Sequence, residues 1–266
     1  MNTQDRLLEF KKLSVHYDNK GKIVKAVENV NLGIQKGEIV GLVGESGCGK
    51  SSLALATLRL IDPPGKIYGE IKWKGRNLLN LSDHEMQEIR GGDISMVFQD
   101  PFTALNPVFK VGEQIAEVLR VHQGLSRKQA WDKAVELLDL VHIKDPKLRA
   151  DDYPHQFSGG MKQRVAVAMA YALHPDLLIA DEPTTALDVT MQKSILDLLR
   201  ELKITILFIS HNIALVSELC GRICVMQAGR IVEDGSTSEI INSPKDAYTA
   251  KLVDSYREIN LEINRS

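Results

Sequence analysis

A chain of 266 residues, 44% hydrophobic and 26% charged, has the make-up of a globular protein with room for one large domain, or one domain and a smaller lobe. A formal net charge of −2 offers no basic field for nucleic acid, and no apolar run approaches the ~18 residues that cross a bilayer. The polar, mixed-charge residues 1–9 do not read as a secretory signal, and the three cysteines, Cys48, Cys220 and Cys224, fit no metal-binding spacing; they read as small buried thiols suited to a reducing cytosol.

Residues 8–17 set apolar Leu8, Phe10, Leu13, Val15 and Tyr17 among polar neighbours and predict a strand. Asp18-Asn19-Lys20-Gly21 predicts a turn, residues 26–34 a second strand, and residues 71–74, ending at Gly75, a third member of the same antiparallel sheet. Tyr17 reads equally as a surface aromatic or as a ring that stacks on a purine.

Between these strands lies Gly44-Glu45-Ser46-Gly47-Cys48-Gly49-Lys50-Ser51, a full match to G-x-x-x-x-G-K-[ST]. An apolar strand over residues 39–43 leads into it and a helix over residues 52–60 leads out, the context that this pattern requires. The glycines let the backbone turn tightly and aim several N–H groups at one point, where the new helix also presents its unsatisfied N–H groups and positive dipole end. Lys50 adds a cation for the outer phosphates, and Ser51 a hydroxyl for Mg²⁺, with Ser52 following in the first turn.

Ser82-Asp83-His84-Glu85 is a capping box that opens a helix to about residue 90, where Gly91-Gly92 stops it. Residues 94–98 form an apolar strand that delivers Gln99. After a loop marked by Pro101 and Pro107, helices are predicted over residues 111–119 and from the capping box at Ser126; Trp131, Val135, Leu138 and Val141 recur on one face and predict core. Residues 101–165 thus read as a helical lobe. Ser158-Gly159-Gly160-Met161 then opens an Ala-rich helix, either as a plain N-cap or as a second anion-binding helix start.

Residues 177–180 are a buried strand delivering Asp181-Glu182-Pro183, where Asp181 reaches the Mg²⁺ shell and Glu182 is placed to take a proton from an attacking water. Thr185-Ala186-Leu187-Asp188 opens a helix over residues 189–200, and the strand at residues 204–209 delivers Ser210-His211, which shares its strand-end address with the other chemistry. Ligands of an open parallel sheet bind outside the carboxyl ends of its strands, so strand polarity predicts that the phosphate loop, Gln99, Asp181-Glu182 and His211 line one edge. A hairpin turning at Gln227-Ala228, a short helix capped by Ser236 and a charged tail with a helix over residues 247–261 complete the chain.

Taken together, these motifs resemble the ATP-binding subunit of an ABC transporter over residues 8–242. Gly44 to Ser51 matches the Walker A loop, Gln99 the Q-loop, Ser158-Gly159-Gly160 the family signature, residues 177–181 Walker B, Glu182 its catalytic glutamate, Ala186-Leu187-Asp188 the D-loop and His211 the switch histidine; Tyr17 fits the adenine-stacking aromatic. Phe98-Gln99-Asp100-Pro101-Phe102-Thr103-Ala104-Leu105-Asn106-Pro107, Tyr153-Pro154-His155-Gln156-Phe157-Ser158-Gly159-Gly160-Met161 and Ala180-Asp181-Glu182-Pro183-Thr184-Thr185-Ala186-Leu187-Asp188-Val189-Thr190 are similar to the peptide/nickel importer group. The resemblance implies an α/β fold, with a P-loop NTPase core of mostly parallel sheet, an N-terminal antiparallel β subdomain and an inserted helical subdomain. Its domain plan is an ATPase domain over residues 1–242 and a tail over residues 243–266. It implies ATP and Mg²⁺ bound by Tyr17, residues 44–52, Gln99 and Asp181, with Ser158, Gly159, Gly160 and Asp188 acting across a head-to-tail dimer, and Glu182, His211 and Gln99 in catalysis. The implied partners are a second ATP-binding subunit, two transmembrane permease subunits and, indirectly, an extracytoplasmic binding protein, with no nucleic acid. The implied setting is the cytoplasmic face of the membrane, and the cargo di- or oligopeptides, or alternatively nickel. The tail has no cysteine for the iron–sulfur cluster of some group members. A soluble non-transport ABC ATPase would show a long coiled-coil insertion or a second cassette, and a GTPase or small-molecule kinase would leave the signature unexplained. Glu201-Leu202-Lys203-Ile204 is shorter than the connection usual in that group.

Overall fold

The computed structural model describes residues 6–99, 104–185 and 187–263. Asp100 to Thr103 of the predicted loop and Ala186 lie outside them. The chain divides into two compact units, residues 1–86 with 205–266 and residues 87–204.

The first unit holds an antiparallel sheet of β1 (Arg6–Asn19), β2 (Lys22–Gln35), β4 (Lys66–Trp73) and β5 (Arg76–Asn77), in the order β2-β1-β4-β5. Leu8, Phe10, Leu13, Val15, Val27, Val30, Ile34 and Ile71 are buried, so the alternation read from sequence becomes a core face. Lys20 and Gly21 join β1 to β2 with φ of 53° and 84°, the two left-handed residues that a tight hairpin turn requires. β4 begins five residues before its predicted start: Lys66, Ile67 and Tyr68 pair with His16, Val15 and Ser14 beyond a register break next to Gly69. A bulge shifts the alternation there, which hides the extension from a period-2 reading.

The second sheet of this unit centres on β3 (Ile39–Val43), parallel to both β8 (Thr205–Ser210) and β9 (Arg222–Gln227). Val40, Leu42 and Val43 are fully buried, as is usual for a strand covered on both faces. β10 (Arg230–Ser236) returns antiparallel to β9. Its turn is Ala228-Gly229, with φ of 45° and 82°, one residue later than predicted; two left-handed positions are needed, and Gly229 supplies the second at no steric cost. Helices α1 (Lys50–Thr57), α8 (Ile213–Leu219), α9 (Thr237–Asn242) and α10 (Ala247–Ile263) belong to the same unit. α2 (Asp83–Ile89) carries the predicted Ser82–Glu85 capping bonds, with the Ser82 N–H donating to Glu85 at 2.8 Å.

In the second unit, β6 (Ile94–Val97) and β7 (Leu177–Asp181) pair in parallel. Around them are α3 (Val111–Gln123), α4 (Arg127–Leu140), α5 (Pro146–Arg149), α6 (Gly159–Tyr171) and α7 (Val189–Glu201). The capping box of Ser126 and Gln129 is formed. Leu138 and Val141 of the predicted stripe are fully buried, whereas Trp131 and Val135 are half-buried and Ala130, Ala134 and Leu137 complete the inner face. The short connection after α7 is made by ending the helix at Glu201 and placing Lys203 at φ 51°. No helix among the described residues is long and apolar enough to cross a membrane.

Candidate nucleotide-binding site

The phosphate loop leaves β3 at Gly44 and enters α1 at Lys50. Both ends of the loop need glycine. A Cβ on Gly44 would lie 2.1 Å from the Met226 carbonyl oxygen, and one on Gly49, at φ 108°, would lie 2.0 Å from that of Ala26. Gly49 is the N-cap of α1 and no side chain caps the helix, so the first-turn N–H groups keep their capacity for an anion. Lys50 is 4% exposed, and its ammonium donates to the carbonyl oxygens of Gly44 at 2.7 Å and Glu45 at 2.9 Å. The loop is thus closed on its own lysine. Cys48 is buried in the turn, its Sγ 3.7 Å from Lys50 Nζ; burial pushes this thiol up, against the opposing pull of the ammonium. Ser51 and Ser52 are half-buried in the first turn, and Glu45, Ser46 and Gly47 are exposed.

Three further features of this unit are relevant. Tyr17, near the end of β1, donates its hydroxyl to Ser52 Oγ at 3.3 Å, which fixes an aromatic ring beside the start of α1. β3 and β8 run parallel with Val43 opposite Ser210, so His211 leaves its strand at the edge where the phosphate loop leaves. Glu45, whose carbonyl accepts from Lys50, donates its N–H to the Tyr248 hydroxyl of α10 at 2.9 Å.

The second unit repeats the pattern. Val97 on β6 is opposite Ala180 on β7, so Gln99 and the Asp181-Glu182 pair leave the same edge. Gln99 Nε2 donates to Glu182 Oε2 at 3.2 Å, and the Thr185 hydroxyl donates to the same oxygen at 3.0 Å. Glu182 is buried at φ 48°, a left-handed conformation that costs roughly 1–3 kcal/mol for a non-glycine residue and is sustained by these bonds. Asp181 is 4% exposed at the end of β7.

Ser158 is the N-cap of α6, its hydroxyl accepting from the Met161 N–H at 3.3 Å, and it is exposed beside Gly159. Gly160 is buried beneath Met191, whose methyl group would lie 1.8 Å from a Cβ at that position. Asp188 caps α7 by accepting from the Met191 N–H at 2.9 Å. Arg164 donates to the Val141 carbonyl at the end of α4 and to Ser194 of α7, which fastens the helix behind the Ser158-Gly159-Gly160 turn to two neighbours. Burial lowers the pKa of its guanidinium, so these bonds stand in for lost water.

Sequence reasoning missed Thr185, Met191, Arg164 and Tyr248. Met191 and Arg164 act through contacts between helices that carry no sequence period, and Thr185 reads from sequence only as part of the opening of a helix. Tyr248 lies in a tail whose composition signals only a charged helix.

A strand–phosphate-loop–helix unit whose helix starts at a glycine N-cap, and parallel strands with polar groups at their ends, define a P-loop NTPase fold. The ABC transporter family profile matches residues 27–185, and the chain belongs to that family as its ATPase component. It is 48% identical over 257 residues to a dipeptide transport ATP-binding protein of Haemophilus influenzae, covering 95% of this chain and 78% of that protein. An oligopeptide transport ATP-binding protein of Bacillus subtilis is 49% identical over 254 residues, covering 93% of this chain and 71% of that one. Among solved structures, a dimeric ATP-binding cassette in a post-hydrolysis state with ADP and Pi superposes with a TM-score of 0.77 at 30% identity, over 86% of this chain and 98% of that one.

Proposed function

We propose that this chain is the ATP-hydrolysing motor subunit of an ABC importer of di- or oligopeptides, working on the cytoplasmic face of the membrane. A second ATP-binding subunit and two permease subunits complete the proposed assembly, with an extracytoplasmic binding protein feeding it. Both relatives are named for peptide transport, and no observation favours the nickel alternative. The observation that carries the nucleotide reading is the pre-closed loop, with its buried lysine ahead of an uncapped helix start.

In this reading the N–H groups of residues 46–51 and the Lys50 ammonium take the phosphates, and the Tyr17 ring takes adenine. The donors Ser51, Gln99 and Asp181 fit Mg²⁺, a hard cation that takes oxygen ligands. Gln99 already spends its amide nitrogen on Glu182, which leaves its carbonyl oxygen for a metal. When bound, Mg²⁺ neutralises charge on the outer phosphates. Glu182 takes a proton from water as the water oxygen bonds to the γ-phosphorus and the bond to the ADP oxygen breaks. Gln99 and Thr185 orient that carboxylate, and His211 contacts the γ-phosphate. Ser158, Gly159 and Gly160 of a second subunit, with Asp188 beside the interface, close over the nucleotide. ATP binds both subunits only when they are together, so hydrolysis removes the bridge and reopens the pair.

Glu182→Gln removes the base and keeps the shape. It is expected to bind Mg-ATP with wild-type affinity and to lose about 10²-fold or more in turnover, the scale of a general base. Wild-type turnover by this variant would exclude Glu182 from that role.

A further inference from the structure

The phosphate loop has a tether from outside its own motif. The Glu45 N–H donates to the Tyr248 hydroxyl at 2.9 Å across 203 residues of sequence, while the Glu45 carbonyl accepts from Lys50 at 2.9 Å. One residue of the loop is therefore held from within by the lysine and from without by the tail. Glu45 itself is exposed.

Tyr248 is held in place in turn. Its N–H donates to Asp246 at 2.8 Å, and the N–H groups of Lys245 and Asp246 donate to the Glu233 carboxylate of β10 at 2.9 and 3.0 Å. Glu233 stays below the usual carboxylate range because those backbone donors outweigh the opposing effect of its burial. The next residue, Thr249, and Val253 about one turn beyond it are fully buried, and α10 packs against α8. The phenol is half-buried, and desolvation pushes its pKa up, so the hydroxyl keeps its proton at neutral pH while its oxygen accepts from the loop.

We infer that Tyr248 is a positioning residue for nucleotide binding, a latch by which the C-terminal tail fixes the peptide plane at the start of the phosphate loop and so sets the affinity for ATP. A loop that binds phosphate through backbone N–H groups depends on peptide orientation, and the plane between Gly44 and Glu45 is held at its carbonyl by Lys50 at 2.7 Å and at its N–H by Tyr248 at 2.9 Å. The tail thereby acquires a role in the first step of the cycle. A displacement of α10, for instance by a partner subunit, would be felt at the loop as weaker ATP binding.

This inference rests on the nucleotide reading above, and the test separates the two. Tyr248→Phe, in the full chain, keeps the ring and removes the acceptor. The expected result is faster hydrogen exchange at the Glu45 amide, measured by NMR, and a Kd for Mg-ATP about five-fold weaker, the worth of one hydrogen bond. KM is expected to rise in parallel while kcat at saturating ATP is retained. An unchanged Glu45 exchange rate and Kd in Tyr248→Phe, beside a wild type that binds Mg-ATP, overturns the latch alone. A fall in kcat with Kd unchanged also overturns it, because orientation of the empty loop is a binding effect. A wild type that ignores Mg-ATP overturns the nucleotide reading itself.

Discussion

Gly160→Ala separates a packing role from a phosphate-facing one. A Cβ at residue 160 would lie 1.8 Å from the Met191 methyl carbon, but Met191 Sδ and Cγ stand at 3.4 and 3.6 Å, which are ordinary contacts. Only the free end of a flexible side chain must move, so the overpacking cost falls near the low end of the roughly 1–3 kcal/mol range. Replacing glycine by alanine in a helix returns up to about 1 kcal/mol, and less at the second helical position. The net cost is about 0–1 kcal/mol, a fall in Tm of up to about 4 °C. If Gly160 closes over the γ-phosphate of the opposing site, ATPase activity falls by far more than this suggests, by about tenfold or beyond, because a methyl group displaces the backbone from the charge it stabilises. Met191→Ala in the same chain removes the clash. The double variant is expected to recover Tm in a thermal melt and to stay inactive in a phosphate-release assay. Recovery of activity along with stability would assign the glycine to packing against Met191 and refute the phosphate-facing role.

Arg164→Met keeps most of the buried stem and loses the bonds to Val141 and Ser194. A destabilisation of about 2 kcal/mol is expected for a charged donor leaving its acceptors in a half-buried site, read as a lower denaturation midpoint; an unchanged midpoint would show that these bonds are exchanged for water at no cost. For pH, burial raises the thiols of Cys48, Cys220 and Cys224 above the ordinary value of 9.0. The unfolded chain then loses these protons first as pH rises, so their contribution to stability is complete below about pH 9 and is lost above it. Urea midpoints at pH 7 and pH 10 check this, with Cys220→Ala and Cys224→Ala expected to flatten the decline; an equal decline without the thiols would place its cause elsewhere.

Much of this architecture is written in local chemistry. The capping boxes at Ser82, Ser126 and Ser236 need only residues three apart, and each forms as read. Strand polarity correctly places His211 at the exit of the phosphate loop, and Gln99 beside Glu182, because parallel register carries strand ends to a common edge. The errors arise where geometry departs from a simple period. The bulge near Gly69 hides the first half of β4, and the left-handed Ala228 moves a turn by one residue. The links among Arg164, Val141 and Ser194 and between Glu45 and Tyr248 join distant segments through single atoms, and no pattern along one chain encodes them.

The most direct measurement is a structure of the Glu182→Gln chain with Mg-ATP. The account predicts the triphosphate seated over residues 44–51 at the start of α1, the Lys50 ammonium on its outer phosphates, and Ser158 and Gly160 of a second subunit against the γ-phosphate. A nucleotide bound away from Lys50, or a fully occupied site that no second subunit approaches, would contradict it.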